Sequence, residues 1–142
     1  MERIEDVILS QIDLTSKVSK QYSQKEFDKL GFGITVEQWI ILKIVSESSS
    51  LSQKELANKS YRDPASITRT IDLLEKKGLL IREKTPSNRR AYNIFLTKDG
   101  EQFIKDNIKS IDTHRDNSIK NLTQGELSLL STILKKIRKN MK

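Results

Sequence analysis

The sequence predicts a mostly α-helical chain with one small β-hairpin, on three observations. Apolar residues recur at helical spacing near both ends and in the middle of the chain. Helix-start signals, a Thr, Ser or Asp followed by Gln, Glu or Pro at the capping positions, mark four points. Between Asp63 and Thr97, in DPASITRTIDLLEKKGLLIREKTPSNRRAYNIFLT, the pattern passes from helix to strand around a glycine and a polar turn. The predicted order is four helices, a two-stranded hairpin and two further helices.

The first helix runs from about Arg3 to Tyr22 or beyond, because Ile4, Val7, Ile8, Leu14 and Val18 share one side of a helical projection. GFGIT, residues 31–35, breaks it. Thr35 opens the second helix, with Gln38 completing a capping box. VEQWIILKIV is apolar on most sides, so this helix is central. SESSSLS forms a polar turn, and Ser52 to Glu55 is a second capping box at the head of a short helix, QKELANKS. After the loop YR, Asp63 and Pro64 form an N-cap and first-turn pair. That fourth helix ends at EKKG, where Gly78 supplies a left-handed stop and the lysines complement the negative helix end. LLIREKT and AYNIFLT read as strands joined by a turn, PSNRR. Thr97 starts a long helix carrying Ile104, Ile108, Ile111, Ile119 and Leu122, with His114 in a polar context facing solvent. Thr123 to Glu126 is a third capping box, and Leu127, Leu130, Leu134, Ile137 and Met141 then form a heptad-like seam.

At 142 residues the chain fits one domain, or one domain with a helical extension. It has no cysteine and one histidine, which excludes disulfides, thiolate zinc sites and thiol redox sensing, and speaks against any metal site. The start, MERIEDVILS, is not a secretory signal, and the longest apolar run, residues 39–42, is too short to span a bilayer. A soluble cytoplasmic protein without cofactor is the default. The net charge of +7 is unevenly spread: −2 over residues 1–50, +5 over 51–100 and +4 over 101–142. Such an excess suits nucleic acid, an anionic membrane, an acidic partner or plain solvation. No helix pairs a basic face with a broad aromatic-rich one, which argues against a membrane surface.

Residues 35–97 read as a helix-turn-helix followed by a wing. On the helix from Pro64, Ile67, Ile71 and Leu74 share the inner face, which turns Ala65, Ser66 and Arg69 outward, with Thr68 and Thr70 on the flanks and Arg62 just before the cap. Arginine, serine and alanine suit base edges in a major groove. An ordinary amphipathic surface helix fits that pattern equally well. The hairpin decides between them: Arg82, Lys84, Arg89 and Arg90 surround TPSN with only Glu83 opposing, the composition of a wing that enters a minor groove rather than of a mixed-sign solubilising loop.

LSQKELA, SITRTIDLLEKKGLLIR and SNRRAYNIFLTKDG together resemble the MarR family of bacterial transcriptional regulators over essentially the whole chain. The elements that match are Leu74-Glu75-Lys76-Lys77-Gly78-Leu79, Asn88-Arg89-Arg90 and Leu96-Thr97-Lys98-Asp99-Gly100. Asn88 departs from the family's wing aspartate; it accepts a hydrogen bond but brings no charge. The resemblance implies Arg69 near DNA, Arg90 in the groove with Arg89 on a phosphate, and Ser52, Gln53 and Lys54 meeting the backbone at a helix N-terminus. It also implies a homodimer held by the terminal helices, with Ile4, Val7, Ile8, Leu127, Leu130, Leu134 and Ile137 as its apolar seam, on a near-palindromic operator in double-stranded DNA. The implied layout is residues 1–34 for dimerisation, 35–97 for DNA and 98–142 for dimerisation.

Relatives in the family commonly bind a small molecule and release DNA. Tyr22 and Trp39 are the candidates to line such a pocket, although Trp39 reads first as core. No phosphate loop, Ser-His-Asp set or ligand cluster supports an enzyme. The competing class is a non-sensing dimeric winged helix that packages DNA or docks a protein. Indifference to sequence with steep salt dependence would mark it.

Overall fold

The computed structural model describes residues 1–87 and 91–142 fully; residues 88–90 are described as strand, without side chains. The chain forms α1 (Ile8–Leu30), α2 (Val36–Ser46), β1 (Leu51–Ser52), α3 (Gln53–Ser60), α4 (Pro64–Lys76), β2 (Leu80–Thr85), β3 (Asn88–Leu96), α5 (Lys98–Ser118) and α6 (Gln124–Asn140). A short 3-10 turn, Ile4–Asp6, precedes α1. The result is mostly helical with a small antiparallel sheet, as expected. The chain divides into two compact units, Met1–Ile108 and Lys109–Lys142.

Capping chemistry sets most boundaries in the first unit. Thr35 and Gln38 close a reciprocal box at the head of α2. Ser52 accepts from the Glu55 amide, and Asp63 accepts from the Ser66 amide ahead of Pro64. At the end of α4 the chain reverses through Gly78 at φ +76°, a conformation costly for any residue with a Cβ. Thr97 then locks the entry to α5. Its hydroxyl donates to the Gly78 carbonyl at 2.6 Å and accepts from the Gly100 amide at 3.0 Å. A Cβ on Gly100 would fall 2.2 Å from the Leu79 carbonyl oxygen, so only glycine fits where α5 starts against the turn into β2.

The hairpin is tighter than the sequence suggests. PSNRR reads as the turn, but β3 already begins at Asn88, which leaves Pro86 and Ser87 between the strands. Pairing runs from Leu80↔Leu96 to Lys84↔Tyr92 and shifts register at Thr85↔Asn88. The sheet has a third strand that has no counterpart in the sequence reading: β1 pairs with β3 through Leu51↔Ile94 and Ser52↔Asn93, giving the order β1-β3-β2.

The core of the first unit is apolar and closed. Trp39, Ile41 and Leu42 from α2, Leu56 from α3, Ile67, Ile71 and Leu74 from α4 and Leu80 from β2 are fully buried. Burial of a side chain of this size contributes ~1.5–3 kcal/mol. Phe27, Phe32, Phe103 and Trp39 form a chain of tilted and edge-on ring contacts. Among the described residues, the C-terminal half of α1 is the part fastened to this core: Phe27 is buried, and the Gln24 side-chain carbonyl accepts from the Val36 amide at 3.1 Å. Toward the N-terminus Ile4, Ile8, Leu9, Leu14 and Val18 are exposed.

In the second unit Thr123 and Glu126 form the third box at the head of α6. No residue of α6 is buried, and Leu129, Leu130 and Ile133 are exposed. His114 corrects an expectation: it is buried, not solvent-facing. Its place explains this, since Ile104, Ile108, Ile111 and His114 follow one another at helical steps along one stripe of α5.

Candidate nucleic-acid interface

α3 and α4 are joined by a turn in which Tyr61 adopts a left-handed conformation, φ +55°, uncommon for a bulky residue. This turn presents the N-terminus of α4. The amphipathic expectation for α4 is met on its inner face, where Ile67, Ile71 and Leu74 are fully buried. Ala65 and Arg69 are exposed and Ser66 half-buried on the other side. Arg69 makes no hydrogen bond or ion pair with any described residue, so its guanidinium is free to meet a ligand. Lys54 and Lys84 are also exposed.

Thr70 is a correction. It is 6% exposed and lies with the core residues, not on the flank of the outer face. Positions 67, 70, 71 and 74 are spaced as one helical face, and this position outweighs the polarity of a threonine. Thr68 stays at the surface but its hydroxyl is committed. It donates to the Pro64 carbonyl at 2.9 Å, so its remaining capacity is as an acceptor, and the Gln53 amide nitrogen donates to it at 2.8 Å. The Gln53–Thr68 pair thus straps α3 to α4. The Gln53 side-chain carbonyl is buried without a partner among the described residues.

Two of the predicted basic residues are also tied. Arg62 lies between α2 and α4: its Nη2 donates to Glu37 at 3.3 Å and to the Ser66 hydroxyl. Its Nη1 is buried and has no partner among the described residues. Arg82, at the base of the wing, pairs with Asp72 and with Glu75 at 3.1 Å, both on α4, and lies over the Tyr92 ring. Burial works against the Arg82 charge, but the Glu75 and Asp72 carboxylates outweigh it and raise the pKa above the ordinary value. These acids are what sequence reasoning missed. Glu37, Asp72 and Glu75 read as ordinary helix-surface charges because their partners lie 25, 10 and 7 positions away.

A groove of about 840 Å³ opens between α3, α4 and β3, with Ser52, Lys54, Asn58, Arg62, Arg82 and Tyr92 among its walls. Asn88, Arg89 and Arg90, expected at the wing tip, lie outside the residues whose side chains are described. Tyr22 is exposed on α1, whereas Trp39 is fully buried and its indole N–H has no partner among the described residues. No group of His, Asp and Glu suited to a metal ion occurs among the described residues. No described helix is long and apolar enough to cross a membrane.

Comparison with known proteins agrees with this geometry. A family profile described as the MarR family matches residues 34–92. The transcriptional regulator FarR of Neisseria gonorrhoeae is 29% identical over 106 residues, covering 75% of this chain and 73% of FarR. The chain spans 48% to 66% of three further curated regulators that it matches. Among solved structures, a MarR/EmrR family regulator from Acinetobacter superposes with a TM-score of 0.89 at 22% identity, covering 99% of this chain and 98% of that one. BpsR of Bordetella bronchiseptica, described as regulated in its DNA binding by 6-hydroxynicotinic acid, superposes with a TM-score of 0.87 at 16% identity, covering 97% of each chain. The curated relatives are named as regulators, a non-enzymatic class.

Proposed function

We propose that this chain, a DNA-binding transcriptional regulator of the MarR family, acts as a dimeric repressor that reads a near-palindromic operator. The observation that carries the reading is the split of α4 into a fully buried apolar face and an outer face on which Arg69 is exposed and unpaired among the described residues. An arginine in that position suits the paired acceptors of guanine in a major groove. Ala65 and Ser66 stand beside it as lesser base contacts. Lys54 and Lys84 suit phosphates on either side, with Ser52 at the head of α3. The wing-tip contacts assigned to Arg89 and Arg90, with Asn88 beside them, belong to the same proposal.

Residues 1–34 and 98–142 would hold two copies together. Support comes from the apolar side chains that one chain leaves uncovered, Ile4 and Ile8 before and along α1 and Leu130 on α6, with Val7, Leu127, Leu134 and Ile137 only partly covered. A two-fold dimer sets two recognition helices about 34–36 Å apart, one turn of DNA. The reading extends to release by a small molecule, supported by BpsR. Of the two residues considered for such a pocket, Tyr22 is the accessible one. A cytoplasmic location follows from the role.

The test is selection of bound sites from a random DNA library at physiological salt. Two related half-sites one turn apart are expected. Binding without a motif would replace this reading with a packaging or docking role.

A further inference from the structure

We propose that Glu37 is a positioning residue for the recognition helix, acting through Arg62. This rests on the DNA-reading role assigned to α4. One carboxylate oxygen of Glu37 accepts from Lys20 of α1 at 3.2 Å, and the other accepts from Arg62 at 3.3 Å. The same Arg62 nitrogen reaches Ser66, in the first turn of α4, whose amide is held by Asp63. A continuous polar chain therefore runs from α1, through the head of α2, to the end of α4 that faces the proposed ligand.

The bonds within this polar chain decide what Arg62 does. By sequence Arg62 is a candidate DNA contact, beside the N-cap of α4. In the structure its Nη2 is spent on Glu37 and Ser66, and its Nη1 is buried. The side chain is only 23% exposed. A guanidinium in this state is an internal strut, and it reaches a phosphate only by leaving Glu37. Glu37 also keeps Arg62 off the non-specific backbone, because a carboxylate neutralises a cation that would otherwise bind any DNA. Glu37 thus sets both the attitude of the first turn of α4 and the number of cations offered to phosphates.

Salt dependence separates this role from a merely structural one, since a variant that only loosens the fold loses affinity without gaining a phosphate contact. Binding to random-sequence DNA is measured against salt concentration for the wild type, Glu37→Gln, Glu37→Ala and Arg62→Ala. Freeing Arg62 should steepen the slope of log affinity against log salt by about 0.9 per chain in both Glu37 variants. Arg62→Ala should leave the wild-type slope unchanged. Combining Arg62→Ala with Glu37→Gln should abolish the steepening. On a selected site, Glu37→Gln and Arg62→Ala should each lose about tenfold in discrimination, and the double variant no more than either. An unchanged slope in both Glu37 variants overturns the proposal, as does a shallower slope in Arg62→Ala, which would put Arg62 on a phosphate in the wild type. The slope is read on random DNA and needs no motif. A wild type without base preference would therefore sink the sequence-specific reading while leaving the role of Glu37 decided by the slopes.

Discussion

The winged-helix part and the terminal helices treat apolar surface in opposite ways. Between Thr35 and Thr97 most of the large aliphatic side chains close on one another, and the core residues of α2, α3, α4 and β2 are fully buried. α6 carries as regular an apolar pattern, yet none of its residues is buried and Leu127, Leu134 and Ile137 are only partly covered. α1 is intermediate: Phe27 near its end is buried, while Leu14 and Val18 are exposed. Regular periodicity thus predicts that a face will be covered, but not by which chain. A region complete in itself does its work outward, with side chains such as Arg69. On the proposed reading, a region left incomplete does its work by acquiring a second copy of the chain.

Substitutions sharpen that contrast, and the largest effect belongs to the closed core. Ile71→Ala should destabilise the fold by ~2–5 kcal/mol, read by thermal or denaturant unfolding. A loss well below 1 kcal/mol would mean that this face of α4 is not the core. On the open side, Leu130→Glu combined with Ile133→Glu should leave the winged helix folded but yield monomers in sedimentation. Affinity for a two-half-site operator should then fall by ~10²–10⁴, the advantage lost when two linked contacts become one. Unchanged sedimentation would remove α6 from the interface.

Smaller effects probe the joints. Arg82→Ala leaves Asp72 and Glu75 facing each other without their cation and frees the base of the wing. It should cost ~1–3 kcal/mol of stability, the worth of hydrogen bonds to charged groups. Thr35→Ala removes the cap of α2 and should cost ~1 kcal/mol. The smallest effect is the pH response of α6. The Thr123 backbone amide, with its hydroxyl, holds the Glu126 carboxyl below its ordinary value of 4.5. A depressed carboxylate supplies stability above its unfolded pKa and loses it as pH falls through the folded one. The head of α6 should therefore begin to fray only below pH 4.5, and Glu126→Gln should abolish that response in amide exchange.

The same contrast explains what was legible in the sequence. Local chemistry was: Thr35, Asp63-Pro64, Gly78 and Thr123 mark boundaries by bonds spanning three or four residues, and the structure keeps all of them. β1 was not, because Leu51 and Ser52 are too short to show a period and exist as strand only through Ile94 and Asn93, over forty residues on. Thr70 and His114 are polar residues whose helical positions put both on buried stripes, so residue type alone misplaces them. The division of the cations was out of reach. Arg62, Arg69 and Arg82 look alike in a sequence, and only the fold brings Glu37, Asp72 and Glu75 to two of them.

Repeating the site selection with Arg69→Ala beside the wild type tests whether α4 reads bases. A wild-type motif of two half-sites one turn apart is expected, with Arg69→Ala relaxing base preference at one symmetric position in each half-site and weakening binding by ~1–3 kcal/mol. An identical motif from both proteins would contradict it, and would show that the exposed face of α4 does not read bases through Arg69.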